Sequence, residues 1–448
     1  MEITQLIPQF GGVIWTLLAF VIALSVIVAI HEYGHYIVGR WSGIHADVFS
    51  LGFGPVLMSR VDKHGTRWQV AALPFGGYVK FKGDDTAASG TADTAALDAM
   101  TEEERRQTMT GAPLWARAAT VAAGPVFNFV LTIVLFTGIF MMQGQVSEPL
   151  TVGELRPMPS VQELQEGDVL LEIEGMPTPS FDDAEGFDSF LKNLPLQNSL
   201  TYTVERDGGR QEVSGPYVYP ALVSQVVPRS AAIEAGMEQG DVIMAIDGVP
   251  IFAFDQLKQR VESSDGATLG LEVWRDGEIL DLALTPKRTD EPLPDGGYHT
   301  VYRIGIVGGI FFEPATETVG PVDAVKGAVS RTYSIAAGSL SGLWHMIAGN
   351  ISSCNLSGPI GIAETSGAMA SQGGQSFLTF IAVLSTAVGL LNLFPVPVLD
   401  GGHLVFFAYE AVTGKPPSER ALRALMSAGL VLILGMMVFA LTNDIFCP

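Results

Sequence analysis

Four stretches of the sequence are long and apolar enough to cross a lipid bilayer. Each holds roughly 18 to 25 residues without a charged side chain, the length that a helix needs to span the hydrocarbon core. They are Val13–Ile30, Ala118–Met142, Ser376–Leu399 and Ala424–Asn443. Hydrophobic residues make up 48% of the 448-residue chain and charged residues only 16%. The sequence therefore predicts a multi-pass α-helical protein with four transmembrane helices, embedded in the lipid bilayer.

Acidic residues are concentrated between the second and third predicted spans. Residues Gln143–Ser330 contain 31 Asp or Glu and 12 Lys or Arg, which accounts for −19 of the net charge of −22. Such a segment is typical of a solvated domain and excludes binding to nucleic acid. Because Arg40 follows the first span and no basic residue precedes it, the positive-inside rule places the N-terminus outside. The acidic segment then also lies outside, and the first span ends on the cytoplasmic side.

The acidic segment contains two copies of one sequence pattern. Gly167–Gly175 and Gly240–Gly248 match at an offset of 73 residues, and an Arg-Asp-Gly run recurs 69 residues apart at Arg206 and Arg275. Two copies are too few for a solenoid, so we expect two small α+β domains in tandem. The run Pro228–Met237 makes the second copy resemble the PDZ domains of bacterial envelope proteases. The first copy lacks the Ala-Gly-Met step of that run.

These features divide the chain into five predicted segments. Residues 1–147 and 376–448 form the two halves of the membrane core, 148–216 and 217–290 are the PDZ domains, and 291–375 is an external connector. Within the connector, Val322–Asn350 is amphipathic, and we expect it to stay outside the membrane or in its interface. Cys354 and Cys447 are too few for a disulfide framework or a thiolate zinc site. Their pairing is chemically possible, but we favour two ordinary thiols.

The first span leads directly into the motif His31-Glu32-Tyr33-Gly34-His35. Residues four apart share one face of a helix, so His31 and His35 can bind one metal ion. Neutral imidazole suits zinc, and Glu32 can take the proton of the water that zinc activates. A chance pentapeptide at a polar helix end is the alternative, but ionisable side chains next to an uncharged span are costly without a function. We therefore expect one Zn²⁺ per chain, with Glu32 as the catalytic base.

A catalytic zinc site needs a third protein ligand, and the best candidate is Asp400. It follows the apolar run Leu390–Leu399, where an unpaired carboxylate at membrane depth would be unfavourable. An ordinary Asp at a helix end is the other interpretation. The first span runs inward to His31 and the third runs inward to Asp400, so the ligands meet near the inner half of the bilayer. A full crossing at Val322–Asn350 would separate them, and we exclude one there.

Several further motifs accompany the HExxH motif and the tandem repeats. They are Pro74–Lys80, Gly124–Phe129 and Asn392–Gly401. In this combination nearly the whole chain resembles the site-2 proteases, specifically the bacterial regulator of sigma-E protease type. The resemblance implies a zinc endopeptidase with ligands His31, His35 and Asp400 and with Glu32 as catalytic base. It also implies a bacterial inner-membrane protein that cleaves a transmembrane anti-sigma factor after a site-1 protease has removed the substrate's outer domain. The PDZ domains would lie in the periplasm and the active site toward the cytoplasm.

A β-hairpin region is the first candidate for holding the substrate. The segments Val48–Met58 and Trp68–Phe81 alternate like strands, and the family places β-hairpins here that dip into the membrane beside the site. A protease binds its peptide in an extended form, and an edge strand can supply the hydrogen bonds that an unwound substrate lacks in lipid. We therefore predict that Gly76 and Gly77 lie at a substrate-binding strand.

Polar residues and prolines in the spans are further candidates. Asn392 can hydrogen-bond a substrate backbone, although a polar contact between helices is a close alternative. Pro395 and Pro397 prevent a regular helix and leave backbone carbonyls free at the site, with plain helix termination as the alternative. For Gly124 and Asn128, four residues apart in the second span, we favour close packing against a neighbouring helix over a role in chemistry.

Two other functional classes explain parts of the sequence. A membrane-tethered PDZ scaffold with a vestigial metal site would use the outer domains and would need neither the HExxH motif nor Asp400. A metal transporter places His and Asp in spans, but it needs neither Glu32 between two histidines nor tandem peptide-binding domains. The combined features favour an intramembrane zinc endopeptidase.

Overall fold

The computed structural model describes residues 7–84, 100–181, 183–293 and 297–446. Its contacts divide the chain into two compact units. The first comprises Met1–Ile139, Val322–Trp344 and Ser353–Pro448, and the second comprises Phe140–Pro321 and His345–Ser352. The first unit holds the predicted spans, and the second holds the two repeats.

The N-terminal part of the first unit consists of two long helices that flank a β-hairpin. Its elements are α1 (Ile7–Trp41), β1 (Ala46–Val61), β2 (Arg67–Phe81), a short α2 (Glu102–Arg106) and α3 (Leu114–Gln143). Strands β1 and β2 pair antiparallel with several register shifts. Gly52 and Gly54 have positive φ angles in β1, which places bends where left-handed backbone is needed. Residues 48–51 of β1 pair with residues 77–80 of β2 and also with residues 67–70, so the two predicted strand segments form one hairpin that folds back on itself.

The turn of this hairpin is held by the carboxylate of Asp62. It accepts hydrogen bonds from the backbone N–H groups of His64 and Thr66, at 2.8 and 3.0 Å. It also accepts from Trp68 Nε1 at 3.0 Å and from the hydroxyl of Tyr36 in α1 at 3.2 Å. Burial opposes ionisation, but these hydrogen bonds prevail and lower the pKa of Asp62 to about 2. The turn is therefore tied to the helix that carries the HExxH motif.

The second unit contains two four-stranded antiparallel sheets with the same strand order, each with its own hydrophobic core. The first copy and the strands before it are β3 (Gln145–Val146), β4 (Val152–Leu155), β5 (Val169–Ile173), β6 (Met176–Pro177), α4 (Ala184–Asn193), β7 (Leu200–Arg206) and β8 (Gly209–Gly215). The second copy contains β9 (Gln225–Val226), α5 (Ala231–Glu234), β10 (Val242–Ile246), β11 (Val249–Pro250), α6 (Phe254–Glu262), β12 (Leu269–Arg275) and β13 (Glu278–Leu284). The sheet orders are β6-β5-β7-β8 and β11-β10-β12-β13.

After the second copy the chain forms five more strands, and three of them pair with earlier strands of the unit. It forms β14 (Lys287–Pro292), β15 (Tyr298–Arg303), β16 (Ile306–Val307), β17 (Phe312–Pro314) and β18 (Thr316–Glu317). Strands β14 and β15 form a hairpin, whereas β16, β17 and β18 pair with β9, β4 and β3 respectively. These pairings join the start and the end of the unit and account for its compactness.

The residues that recur between the two copies form one buried ion pair in each. Asp168 is 1% exposed, and both its oxygens accept hydrogen bonds from Arg206 at 2.7 Å. Asp241 is fully buried and accepts from Arg275 at 2.6 and 2.7 Å. Burial opposes ionisation of Asp168, but pairing with Arg206 lowers its pKa below the ordinary value. The repeated Gly-Asp-Val and Arg-Asp-Gly runs thus supply the two halves of a bidentate pair.

The C-terminal part of the first unit is helical. Its elements are α7 (Pro321–Ile347), a 3₁₀ turn (Ser353–Asn355), α8 (Pro359–Ser371), α9 (Gly374–Asn392), α10 (Asp400–Thr413) and α11 (Glu419–Phe446). Among the described residues, four helices are long and apolar enough to span a membrane, namely Gly12–Trp41 of α1, α3, α9 and α11. This confirms the four predicted spans. Helix α7, which covers the amphipathic stretch, does not belong to this set.

Two predictions about this region need correction. The third span ends at Asn392 and not at Leu399, because the segment with the two prolines leaves the helix and Asp400 begins the new helix α10. Cys354 is disulfide-bonded, which overturns the preference for two free thiols. The chain's other cysteine is Cys447, which lies outside the described residues.

Small and hydroxyl-bearing residues bring the spans together. Gly34 of α1 lies against the backbone carbonyl of Ala123 in α3, at a place where a Cβ would clash with that oxygen. Between α3 and α9, the buried hydroxyl of Thr132 donates to the carbonyl of Ala382 at 2.9 Å, and that of Ser385 donates to the carbonyl of Asn128 at 2.9 Å. Such contacts are typical of helix association in membranes, where apolar surface alone gives little driving force.

The buried ion pairs predict a specific loss of stability. Asp241→Ala should lower the free energy of unfolding of the second copy by about 3–5 kcal/mol, because it leaves the Arg275 charge without its buried partner. Glu238 also bonds Arg275 at 2.9 Å but is 69% exposed, so Glu238→Ala should cost less than about 1 kcal/mol. Pulse proteolysis of the full chain across a urea series measures both values. Equal effects of the two variants would contradict the assignment.

Candidate metal centre

Helix α1 places the two histidines of the HExxH motif on one face. His31 and His35 lie one turn apart, and their Nε2 atoms are 3.1 Å from each other. Each side chain is only 12% exposed. Two imidazole nitrogens this close, both partly buried, are arranged to share one ligand.

The third donor comes from the first residue of α10. Asp400 Oδ2 lies 3.2 Å from His31 Nε2 and 3.6 Å from His35 Nε2. The two residues after it let α10 begin this close to the preceding loop. A Cβ at Gly401 would collide with the backbone carbonyls of Leu393 and Phe394, and a Cβ at Gly402 with that of Val396 (these close contacts need glycine). Close packing thus requires glycine at both positions, and the two glycines allow α10 to begin at Asp400.

These three atoms match the donor set of a zinc site. Ligands about 2.0–2.1 Å from a tetrahedral zinc ion lie about 3.3 Å apart, close to the three separations found here. Asp400 Oδ2 is buried and has no hydrogen-bond partner among the described residues. An orphaned carboxylate oxygen facing two imidazoles is costly unless a cation binds there. Within the part of the chain that the structure describes, this is the one cluster of three such residues suited to a metal ion.

Helix α3 supplies the second layer of contacts around the histidines. The backbone carbonyl of Thr120 lies 2.9 Å from His35 Nδ1, and Asn128 Nδ2 lies 3.2 Å from His31 Nδ1. Gly124 lies between them, and a Cβ there would collide with the imidazoles of both His31 and His35. Partners on the far ring nitrogen fix the orientation of a ligating imidazole. Gly124 therefore packs closely against a neighbouring helix, as predicted, and the side chains that it meets there are the two histidines. Asn128 contacts one of them as well.

Glu32 opens onto a cavity of about 420 Å³ next to the three donors. The cavity is lined by residues of α1, β2, α3, the end of α9, α10 and the start of α11, all within the first unit. Strand β2 approaches Glu32 closely, since a Cβ on Gly77 would lie 3.1 Å from Glu32 Cγ and 2.8 Å from the carbonyl of Ser50. Gly77 therefore leaves free the space directly beside this carboxylate.

The structure brings together some of the predicted substrate-binding residues and not others. Gly77 and Asn392 line the cavity together with Glu32 and the three donors. Gly76, Pro395 and Pro397 are described but lie outside its lining. Gly76 has a φ of 128° and packs against the ring of Phe53. The prolines lie in the break before α10, and Pro397 packs near Gly402 and Gly429.

Other residues of the cavity had no function assigned from the sequence. His403 lines it one turn after Asp400. Arg117 and Glu410 also line it and form an ion pair. Both are charges in or beside apolar helices, which is the signal that marks functional or paired side chains at membrane depth. Their partners could not be read from the pattern.

Known proteins match the chain over nearly its full length. The model of peptidase family M50 matches residues 19–436. A protein named "Putative zinc metalloprotease" from Rhizobium meliloti is 37% identical over 435 residues, with 96% of each chain covered. The regulator of sigma E protease of Salmonella typhimurium is 32% identical over 463 residues, which cover 97% of this chain and 99% of the relative. The similarity to site-2 proteases is confirmed, and the chain belongs to peptidase family M50, the zinc metalloproteases of the membrane.

Proposed function

We propose that this protease uses His31, His35 and Asp400 as zinc ligands and Glu32 as catalytic base to cut a single-span membrane protein. The observation that carries the proposal is the triangle of three donor atoms. Two of the donors lie in the C-terminal part of α1, an apolar helix long enough to span the bilayer, and the third belongs to the first residue of α10. Such a site is reached by a peptide bond inside the bilayer or at its edge.

The side chains around the cavity divide the chemistry among them. A zinc ion held by His31, His35 and Asp400 would act as a Lewis acid and would lower the pKa of water to near 7. Glu32 takes the proton of the attacking water and delivers it to the leaving amine. Strand β2 pairs only with β1 among the described strands, so its other edge is available for an extended substrate at Gly77. In this proposal Asn392, which lines the cavity, hydrogen-bonds the substrate backbone. Pro395 and Pro397 keep the approach to Asp400 non-helical.

The biological setting is the second cut of an envelope stress response. The name of the Salmonella relative supports a role in sigma-E regulation. In this proposal the chain lies in a bacterial inner membrane, with its active site toward the cytoplasm and Gln143–Gln375 in the periplasm. Its substrate is an anti-sigma-factor-like membrane protein from which a site-1 protease has first removed the outer domain. The competing function, a PDZ scaffold with a vestigial metal site, would not need the donor triangle.

The two repeats of the second unit act in this proposal as PDZ domains that select substrates by size. They lie in the segment that connects α3 to α9, so the chain leaves and re-enters the membrane part on either side of them. A bulky outer domain on a substrate would be held away, whereas a trimmed substrate would pass. Recognition of a new C-terminus in a PDZ groove is the rival mechanism.

Glu32→Gln should abolish cleavage and leave zinc binding near normal. The amide keeps the shape of the side chain but cannot accept a proton, and the three ligands remain. Zinc content of the purified full chain and cleavage of a trimmed single-span substrate measure the two properties separately. Loss of zinc from a correctly inserted variant would contradict this division of roles, and undiminished cleavage would rule out Glu32 as the base.

Asp400→Asn should weaken zinc binding and cleavage together, since a neutral amide is a poorer zinc ligand than a carboxylate. The matched control is Glu32→Gln, which removes a charge beside the same metal without removing a ligand. Competition with a zinc chelator gives the affinity of each variant. If Asp400→Asn binds zinc and cleaves like the wild type, the third ligand lies elsewhere.

Removal of Thr151–Lys287 should allow premature cleavage of an untrimmed substrate. A flexible linker replaces the segment, and both the untrimmed and the trimmed substrate are presented in cells that lack the site-1 protease. The deletion combined with Glu32→Gln controls for other proteases. If the untrimmed substrate stays intact while the trimmed one is still cut, size selection by the repeats is wrong.

A further inference from the structure

One ion pair joins α3, which contacts the two histidines, to α10, which begins with Asp400. Arg117, in the first turn of α3, donates from Nη2 to Glu410 Oε1 at 2.6 Å and from Nη1 to Glu410 Oε2 at 3.1 Å. This is the parallel, two-bond arrangement that gives an Arg–carboxylate pair geometric as well as electrostatic specificity. The side chains are 15% and 18% exposed, so solvent screens the pair much less than a surface pair.

The guanidinium of Arg117 makes a second contact with α10. Its central carbon lies 5.3 Å from the centroid of the Phe407 ring, which is within the range of a cation–π contact. Phe407 and Glu410 are three residues apart on α10 and therefore neighbours on one face. Arg117 thus binds the helix surface at two points and not merely one mobile carboxylate.

Arg117 and Glu410 each lie on a helix that contacts or carries a proposed zinc ligand. On α3, Arg117 precedes Thr120 by one turn, and Thr120 bonds His35. On α10, Glu410 follows Asp400 on one continuous helix of 14 residues. The N-terminus of α10 is packed against the preceding loop through Gly401 and Gly402. The ion pair is a second attachment near the other end, and two attachments fix the rotation of a helix about its axis.

The geometry points to Arg117 and Glu410 as positioning residues that set the rotation of α10 and thereby the place of Asp400 relative to the histidines. This inference rests on the ligand set proposed above. Side-chain tips lie about 5–6 Å from a helix axis, so a rotation of about 10° displaces the Asp400 carboxylate by about 1 Å. A misplacement of that size is enough to lower a rate by about 100-fold.

The test compares Arg117→Ala, Glu410→Ala, the double variant and the exchanged pair Arg117→Glu/Glu410→Arg in the full chain. Each single variant should weaken zinc affinity by about 10–100-fold, the range for partners behind a ligand. The value of kcat should fall by about 10–100-fold with KM changed less than about 3-fold, because only the geometry of the reacting centre is altered. The double variant should lose no more than either single variant, since the two residues act as one unit.

A matched control distinguishes positioning from general stabilisation. Arg423 and Glu419 form an ion pair at the start of α11, but they are 71% and 83% exposed and 4.0 Å apart. Arg423→Ala should leave zinc affinity and kcat unchanged. Recovery of zinc affinity in the exchanged pair by at least 5-fold over the single variants would support positioning directly.

Zinc affinity measured by chelator competition and the melting temperature decide the outcome without reference to activity. If the single variants melt at a lower temperature but bind zinc like the wild type, the pair only stabilises the fold and the inference is wrong. Failure of the proposed ligand set has a different signature, namely wild-type zinc affinity in Asp400→Asn. The two failures are therefore distinguishable.

Discussion

An ionisable side chain at membrane depth must meet a partner, and this requirement governs the membrane part of the protein. His31 and His35 lie within the apolar helix α1, and Asp400 follows the break after the apolar helix α9. Water at this depth cannot compensate an isolated charge. The three side chains can contact one another only if α1 and α10 converge on one point. A metal ion in that point turns three costly groups into one favourable cluster. The break between α9 and α10 follows from the same requirement, because it lets a second helix begin with a carboxylate at the site.

Helix α3 carries the supporting contacts along one of its faces. Arg117, Thr120, Gly124 and Asn128 are spaced by three or four residues, so they lie one above another. Thr120 and Asn128 contact the Nδ1 atoms of the two histidines. Gly124 leaves room for both imidazoles, and Arg117 forms the ion pair with Glu410 of α10. In the arrangement we propose, a transmembrane helix without a ligand of its own thus orients all three ligands.

Local patterns in the sequence predicted the four spans, the facing histidines and the interruption of the helix before Asp400, since each depends on neighbouring residues. They did not predict that Asp400 begins a helix, because the glycines after it are typical of a turn and are tolerated only through close packing. The bond between Asn128 and His31 and the pair of Arg117 with Glu410 join residues far apart in the chain. A repeat likewise indicates similar units, but pairing of its recurring Asp and Arg requires the folded sheets.

The central claim is that two imidazoles and one carboxylate hold the zinc ion, and X-ray absorption at the zinc edge tests it most directly. The account predicts a shell of nitrogen and oxygen atoms at about 2.0–2.2 Å with two imidazoles. In Asp400→Asn chains reloaded with zinc, that shell should change while both imidazoles remain. A sulfur atom at about 2.3 Å, a shell with fewer than two imidazoles, or an identical shell in Asp400→Asn would contradict the account.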